Sequence, residues 1–301
     1  MPRPIATLLL LLTTMMWGFA FVAQKEAMGG LGPLTFSAVR YGLGTLVMLP
    51  LVGWELRRHR PVVRGRLDRR LTAVLCLAFF LGVYLQQWGL TATSVTNGGF
   101  LTSLYVLFVP FIALAAFRQR PHPIVWLCMP MALIGVFLLN GGRLDRLGPG
   151  DIAIIGCALA WAVQVFLLGQ LVRSTGLPIT ISVLCFAATA VLSTLGAAAV
   201  ETPALGPILA AWPQILYAGI LSTSVAFTLQ AIGQQYVPPA NAAIVLSAES
   251  LFAALGGAVV LGERLPAIGY VGAGLIFCAI IVVEAVPTLL AARRTTAPAG
   301  P

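Results

Sequence analysis

Residues 229–265 read LQAIGQQYVPPANAAIVLSAESLFAALGGAVVLGERL, and this stretch has a counterpart earlier in the chain. The counterpart, residues 85–121, reads LQQWGLTATSVTNGGFLTSLYVLFVPFIALAAFRQRP. One ungapped register pairs Gln86 with Gln230, Gly89 with Gly233, Asn97 with Asn241, Ser103 with Ser247, Phe108 with Phe252 and Arg120 with Arg264. The same register places Trp17 on Trp161. A register held across most of a half-chain indicates an internal duplication, each copy containing two apolar helices joined by a polar turn.

The composition indicates a membrane protein. Hydrophobic residues make up 59% of the chain and charged residues 9%, whereas soluble domains average about 45–50% and about 25%. A spanning helix needs roughly 20 mostly apolar residues. The runs that meet this requirement are 5–22, 34–52, 71–90, 98–117, 123–139, 152–171, 179–200, 215–234, 240–261 and 268–286. We therefore predict an all-α polytopic membrane protein with ten transmembrane helices.

The distribution of positive charge predicts the orientation of these helices. Seven arginines lie in the second connection: Arg57, Arg58, Arg60, Arg64, Arg66, Arg69 and Arg70. The odd-numbered connections carry only Lys25, Arg143, Arg146 and Arg264. The even-numbered connections and the termini together carry more basic residues. Because basic residues favour the cytoplasmic side, both termini are predicted to be cytoplasmic. An arginine cluster beside spans is typical of contact with anionic lipid headgroups, so the net charge of +9 indicates a lipid bilayer and no nucleic acid as partner.

The duplication and the span count together predict an inverted repeat. We divide the chain into a first five-helix repeat, residues 1–146, a second, residues 147–290, and a cytoplasmic tail, residues 291–301. Five is an odd number, so the second repeat enters the membrane from the opposite side. Two inverted repeats are typical of secondary transporters that work by alternating access, although some channels also contain them.

Two charged residues inside the predicted spans are candidates for substrate binding. Glu249 lies about 13 Å into its helix, near the middle of a bilayer core of about 30 Å. It is either a proton-coupling group or counter-charge for a substrate amine, or a structural link between helices. Arg40 either binds a substrate carboxylate or extends its side chain to the interface. If both face one cavity, a zwitterion such as an amino acid would satisfy them together.

Uncharged residues complete the predicted site. Glutamine side chains inside spans either contact a substrate or join helices by hydrogen bonds. Asn97 and Asn241 open their helices, where N-capping is the alternative role. The tryptophans either close a cavity or fill space. The full set of cavity candidates is Trp17, Arg40, Gln86, Asn97, Tyr105, Trp161, Gln164, Gln230, Asn241 and Glu249, in which Tyr105 is the repeat partner of Glu249.

Catalytic and cofactor motifs are missing from the sequence. Lys25 is the only lysine, which excludes a Walker A loop. His59 and His122 build no metal site or triad, and the five cysteines lie inside apolar runs without metal or disulfide spacing. We expect no cofactor and no metal, and an enzyme is disfavoured.

Four segments resemble the EamA-type family of the drug/metabolite transporter superfamily. These are Trp17 to Phe21 (WGFAF), Phe36 to Tyr41 (FSAVRY), Ala92 to Leu101 (ATSVTNGGFL), and the stretch from Pro239 through Glu249 to the Gly262-Glu263-Arg264-Leu265 ending. The resemblance implies ten helices, cytoplasmic termini and a central cavity lined mainly by the first four helices of each repeat. The family often has a proline after the glutamate that matches Glu249, where this chain has Ser250. We therefore expect a less kinked backbone there.

The sequence thus predicts a secondary transporter of small organic metabolites in a bacterial inner membrane, acting as an exporter. Amino acids or related zwitterions are the first substrate class, with proton coupling through Glu249 as one option. The alternatives are an exporter of lipophilic cations, a flippase for lipid-linked intermediates and a membrane scaffold. The chain would work as a monomer or a homodimer, because the small-residue spacing Gly269 to Ala273 could join α-helices within or between chains.

Overall fold

The computed structural model describes residues 1–58, 67–93, 95–139, 141–142, 147–261 and 266–295. The side chain of Asn97, the arginines at 60, 64, 66, 143, 146 and 264, and the side chains of the predicted tail lie outside the described residues. Ten helical segments cross the bundle, and the described residues contain no strand. They are α1 Arg3–Ala27, α2 Pro33–Arg58, α3 Arg69–Ala92, α4 Val95–Thr102 with Tyr105–Ala115, α5 Pro123–Leu139, α6 Pro149–Thr175, α7 Pro178–Val200, α8 Trp212–Leu216 with Tyr217–Val225 and Ala226–Gln234, α9 Pro239–Leu246 with Glu249–Leu261, and α10 Ala267–Thr295.

The helices confirm the predicted polytopic membrane fold. Across the described ranges, nine helical stretches are long and apolar enough to span a bilayer, and α5 is a shorter apolar helix. Side chains such as Leu46, Leu195 and Ile281 are 62–68% exposed. Exposed apolar surface on nearly every helix is expected where lipid, rather than water, surrounds the bundle.

Contacts at one end of the bundle show that the two repeats run in opposite directions. Lys25, at the end of α1, donates to the carbonyls of Leu90 and Thr93 at the end of α3. The Thr93 hydroxyl donates in turn to Asp151 in the first turn of α6. The end of α1 and the start of α6 therefore lie at the same end of the bundle. Since α1 and α6 are the first helices of their repeats, the repeats are inverted.

The helix pairs follow the same inverted symmetry. The contact between α1 and α8 corresponds to the contact between α6 and α3, and each joins one repeat to the other. In addition, α2 packs on α7 and α5 packs on α10. The α5–α10 contact is close because Gly135 faces Gly272, and a Cβ on Gly272 would lie 2.4 Å from the Gly135 carbonyl oxygen. The small residues of α10 thus serve a contact within the chain.

Helices α4 and α9 are both interrupted at equivalent positions. The first segment of α4 ends at Thr102 and the second begins at Tyr105; in α9 the corresponding residues are Leu246 and Glu249. The backbone is therefore interrupted just before Glu249, although Ser250 stands where the family often has a proline. At this interruption the Ser247 hydroxyl donates to the carbonyl three residues earlier (2.6 Å). Such bonds compete with the helical ladder and bend helices.

The α5–α10 contact gives the first prediction. Gly272→Ala places a methyl group against the backbone of α5, so we expect it to destabilise the protein by about 1–3 kcal/mol. Gly274→Ala, whose added Cβ meets nothing within 4 Å, is the matched control. It should be neutral or stabilise the helix by up to about 1 kcal/mol. Thermal unfolding in detergent micelles measures both, and equal melting temperatures for the two variants would contradict the close contact.

Candidate functional site

A polar cavity lies between the two repeats, in the middle of the bundle. Its free volume is about 40 Å³, which in this conformation is room for a few water molecules. Eight of the ten predicted site residues line it: Trp17, Arg40, Gln86, Tyr105, Trp161, Gln164, Gln230 and Glu249. Phe21, Gln24, Tyr41, Thr102, Ser222 and Phe227 complete the lining. The cavity therefore receives side chains from α1, α2, α3 and α4 and from their counterparts α6, α8 and α9.

Arg40 forms one pole of this cavity and is held from three directions. Its side chain is 4% exposed. Its Nε donates to the Ala218 carbonyl (3.2 Å) and the Thr223 hydroxyl (2.8 Å). Its Nη1 donates to Gln24 Oε1 and its Nη2 to Ser222 Oγ, both at 2.9 Å. Arg40 thus does not extend to the interface. A guanidinium has five N–H donors, and these bonds use Nε and one hydrogen on each Nη, which leaves one hydrogen on each Nη for a ligand.

A π-helical segment in α8, Tyr217–Val225, supplies most of these partners. The wider winding removes the usual bond from residue i to i−4 and exposes backbone carbonyls such as that of Ala218. Small hydroxyl side chains favour this winding: Ser224 Oγ donates to the Gly219 carbonyl, five residues earlier, at 2.9 Å. Ser222 and Thr223, in the same segment, place hydroxyl acceptors beside the guanidinium.

Glu249 and Tyr105 form a second pole of the cavity. Glu249 is 4% exposed and Tyr105 is 3% exposed. Each begins the second segment of its interrupted helix. Glu249 Oε1 and the Tyr105 hydroxyl have no hydrogen-bond partner among the described residues. Buried polar atoms of this kind cost free energy unless a ligand or water satisfies them. This pole is therefore suited to a hydrogen-bond donor that carries positive charge.

Aromatic rings form one wall of the cavity. The rings of Trp17 and Phe227 are 4.6 Å apart, and those of Trp161 and Phe227 are 5.7 Å apart. The Trp17 indole is fixed because its Nε1 donates to the Ser222 carbonyl at 3.0 Å. Gln164 and Gln230 lie beside this wall and hydrogen-bond to each other at 3.2 Å. These two glutamines thus join α6 to α8 while also lining the cavity.

The sequence interpretation missed Gln24, a residue that links three helices. Its Oε1 accepts hydrogen bonds from both Arg40 and Gln87, so it joins α1 to α2 and α3. The only signal in the sequence was a glutamine two residues beyond the predicted apolar run 5–22, a position that an interfacial glutamine would also occupy. Ser222 gave an equally weak signal, because serine is common in spans.

The two predicted asparagines do not contribute described side chains to the cavity. Asn241 is buried and its Nδ2 donates to the Val283 carbonyl at 3.0 Å, which joins α9 to α10. It is not an N-cap, because the capping position of α9 is Pro238. The side chain of Asn97, its repeat partner, lies outside the described residues.

Arg40 and Glu249 do not neutralise each other. Within the described ranges, the one ion pair joins Arg3 to Glu284 at 2.9 Å. A basic and an acidic group therefore line the same cavity, each held by a different repeat, together with aromatic rings.

Comparison with known proteins assigns the fold and the family. The model for the EamA-like transporter family matches residues 4–141 and again residues 148–285. An uncharacterized transporter of Archaeoglobus fulgidus is 30% identical over 94% of this chain and 86% of its own length. The threonine/homoserine exporter RhtA of Escherichia coli K12 is 27% identical over 92% of this chain and 89% of its own length.

A crystal structure of another protein has the same fold. It covers 98% of this chain with a TM-score of 0.75 at 21% identity, and this chain covers all of it. The two family matches, together with the ten inverted helices around one polar cavity, lead to a single assignment. This chain is a multi-pass membrane protein that belongs to the EamA-like transporter family.

Proposed function

We propose that the protein moves amino acids or related zwitterions across the membrane by alternating access, in the direction of export. The observation that carries this proposal is the presence of Arg40 and Glu249 in one cavity without an ion pair between them. A charge inside a membrane needs a partner. A zwitterion supplies a carboxylate for the free N–H groups of Arg40 and an ammonium for Glu249 and Tyr105. The name of the relative RhtA, a threonine/homoserine exporter, makes threonine the first substrate to test.

The interrupted helices support a transport role. Transporter binding sites are often built where spanning helices are discontinuous, because the free backbone groups then face the substrate. In this protein the interruptions of α4 and α9 place Tyr105 and Glu249 at the cavity. An inverted scaffold can exchange the conformations of its two repeats, and this exchange would open the cavity to alternate sides.

A second substrate class is favoured by the cavity wall. Lipophilic cations bind aromatic rings and a carboxylate, and Trp17, Trp161 and Phe227 line the same cavity as Glu249. Arg40 disfavours this class, because its unused N–H groups would repel a cation.

Each pole predicts a loss of threonine transport when its charged residue is replaced. Arg40→Gln should reduce kcat/KM for threonine about 10- to 100-fold by removing the group that binds the carboxylate, and Glu249→Gln should cost a similar factor through the ammonium. Flux of labelled threonine in proteoliposomes measures both. Glu26→Gln and Arg173→Gln, which change the same charges at exposed helix ends, are the controls.

Competition by analogues separates the two roles. A 2-hydroxy acid, which lacks the ammonium, should inhibit Glu249→Gln better than Arg40→Gln, and an amino alcohol should show the reverse order. If the wild type transports a lipophilic cation and shows no threonine flux, the zwitterion proposal is wrong and the second substrate class takes its place.

We also propose that Glu249 carries a proton when it is not occupied by substrate. A pH gradient should then increase threonine flux by the wild type several-fold. The residual flux of Arg40→Gln should keep this gradient dependence, and that of Glu249→Gln should lose it, because glutamine does not titrate. Gradient-dependent flux in Glu249→Gln would assign proton coupling to another group.

The arginine distribution supports a location in a bacterial inner membrane with cytoplasmic termini. A C-terminal reporter that is active only in the cytoplasm should therefore give a strong signal. A fusion after residue 202, which follows α7, should be silent because this end lies on the other side. An active fusion after residue 202 together with a silent C-terminal fusion would show that the topology is the reverse of the proposed one.

A further inference from the structure

Two glutamates form a symmetric pair of contacts between α2 and α7. The carboxylate of Glu201, just after α7, accepts from the backbone N–H groups of Leu34 (2.9 Å) and Thr35 (2.8 Å) and from the Thr35 hydroxyl (2.6 Å). It therefore caps the start of α2. These charge-assisted bonds are stronger than bonds between neutral groups, and the start of a helix favours negative charge.

At the other end of the same helix pair, Glu55 makes the equivalent contact. Near the end of α2, its carboxylate accepts from the backbone N–H groups of Ile179 (3.0 Å) and Thr180 (2.7 Å) and from the Thr180 hydroxyl (2.7 Å). It caps the start of α7. The two helices are thus fixed to each other at both ends, each by the carboxylate of the other. We call these contacts the Glu201 clamp and the Glu55 clamp.

The two clamps differ in their distance from the cavity. Thr35 precedes Arg40 by five residues, which is about 7.5 Å along α2. Glu55 follows Arg40 by fifteen residues, about 22 Å away along the same helix. The Glu201 clamp therefore fixes the part of α2 that carries the guanidinium, whereas the Glu55 clamp fixes the far end.

The position of Arg40 depends on this part of α2. Its four hydrogen bonds reach across to α1 and to the π-helical segment of α8, so a shift or rotation of α2 changes the direction of the free N–H groups. Misplacement of a binding group by about 1 Å can cost up to about a hundredfold in rate. A rigid start of α2 is therefore required for recognition of a carboxylate.

We propose that Glu201 is a positioning residue for the carboxylate-binding pole: it fixes α2 against α7 and thereby orients Arg40, whereas Glu55 only stabilises the helix pair. This inference rests on the proposed function, in which Arg40 binds a substrate carboxylate.

A glycine provides an independent way to disturb the same clamp. A Cβ on Gly32 would lie 2.2 Å from Glu201 Oε2, so Gly32→Ala displaces the carboxylate while the glutamate remains. A Cβ on Gly30 meets nothing within 4 Å, so Gly30→Ala is the matched control. Thr35→Val removes one hydrogen bond from the Glu201 clamp, and Thr180→Val removes one from the Glu55 clamp. These two variants replace the glutamate variants in the test if the glutamate variants do not fold.

The test measures threonine flux in proteoliposomes and amide hydrogen exchange on the same variants. Glu201→Gln and Gly32→Ala should raise KM about tenfold with kcat changed less than about twofold, because uniform binding is lost. Glu55→Gln and Gly30→Ala should leave KM within about twofold. Hydrogen exchange should accelerate at Leu34 and Thr35 in Glu201→Gln, and at Ile179 and Thr180 in Glu55→Gln.

A double variant shows whether Glu201 acts through Arg40. In the Arg40→Gln background, Glu201→Gln should raise KM no further, since coupled residues are not additive. Equal KM shifts for Glu201→Gln and Glu55→Gln, or no shift for either, would overturn the inference while the proposed function stands. Absence of amino-acid flux by the wild type would overturn both, and full additivity in the double variant would show that Glu201 acts independently of Arg40.

Discussion

A guanidinium group buried inside a membrane-spanning bundle is stable only if hydrogen bonds replace its water, and this requirement organises the centre of the protein. The partners of Arg40 come from α1 and from the π-helical segment of α8, and the same glutamine on α1 also binds α3. Without Arg40, the Ser222 and Thr223 hydroxyls would lose this hydrogen-bond partner inside the bundle. The network thus fixes four helices around one side of the cavity and still leaves one hydrogen on each Nη of Arg40 unused.

The scaffold is symmetric, but its charges are not. The interruptions of α4 and α9 and the two glutamate clamps have counterparts in both repeats. The cavity itself has Glu249 where the other repeat has Tyr105. An inverted scaffold accounts for access from both sides, and its asymmetric lining accounts for a substrate with one positive and one negative end. The two properties are separable, because the lining can change without any change in helix packing.

Much of this arrangement could be predicted from the sequence. The ten spans follow from hydrophobicity, and the inversion follows from the odd number of spans in each repeat. Eight lining residues were predicted: the polar ones because such side chains are costly inside spans unless they face an interior, and Trp17 and Trp161 because the repeat register pairs them. The repeat register also pairs Glu249 with Tyr105, and both residues line the same cavity.

Other features depend on three-dimensional contacts that residue patterns do not contain. The π-helical segment contains hydroxyl bonds to the backbone and to Arg40, neither of which has a defined spacing in the sequence. The interruption before Glu249 has no proline to signal it, and a serine hydroxyl bonds to the backbone there. Glu55 and Glu201 lie outside the predicted spans, and only the antiparallel packing of α2 and α7 reveals them as helix caps.

The central claim is that one zwitterion binds both poles at the same time. Solid-state NMR on the protein in lipid, with labelled threonine bound, tests this claim most directly through dipolar couplings. The account predicts a short-range coupling between the threonine nitrogen and the Glu249 carboxyl carbon, together with one between the threonine carboxyl carbon and the Arg40 guanidinium nitrogens. A bound threonine whose nitrogen shows no coupling to Glu249, or whose carboxyl carbon shows none to Arg40, would contradict it.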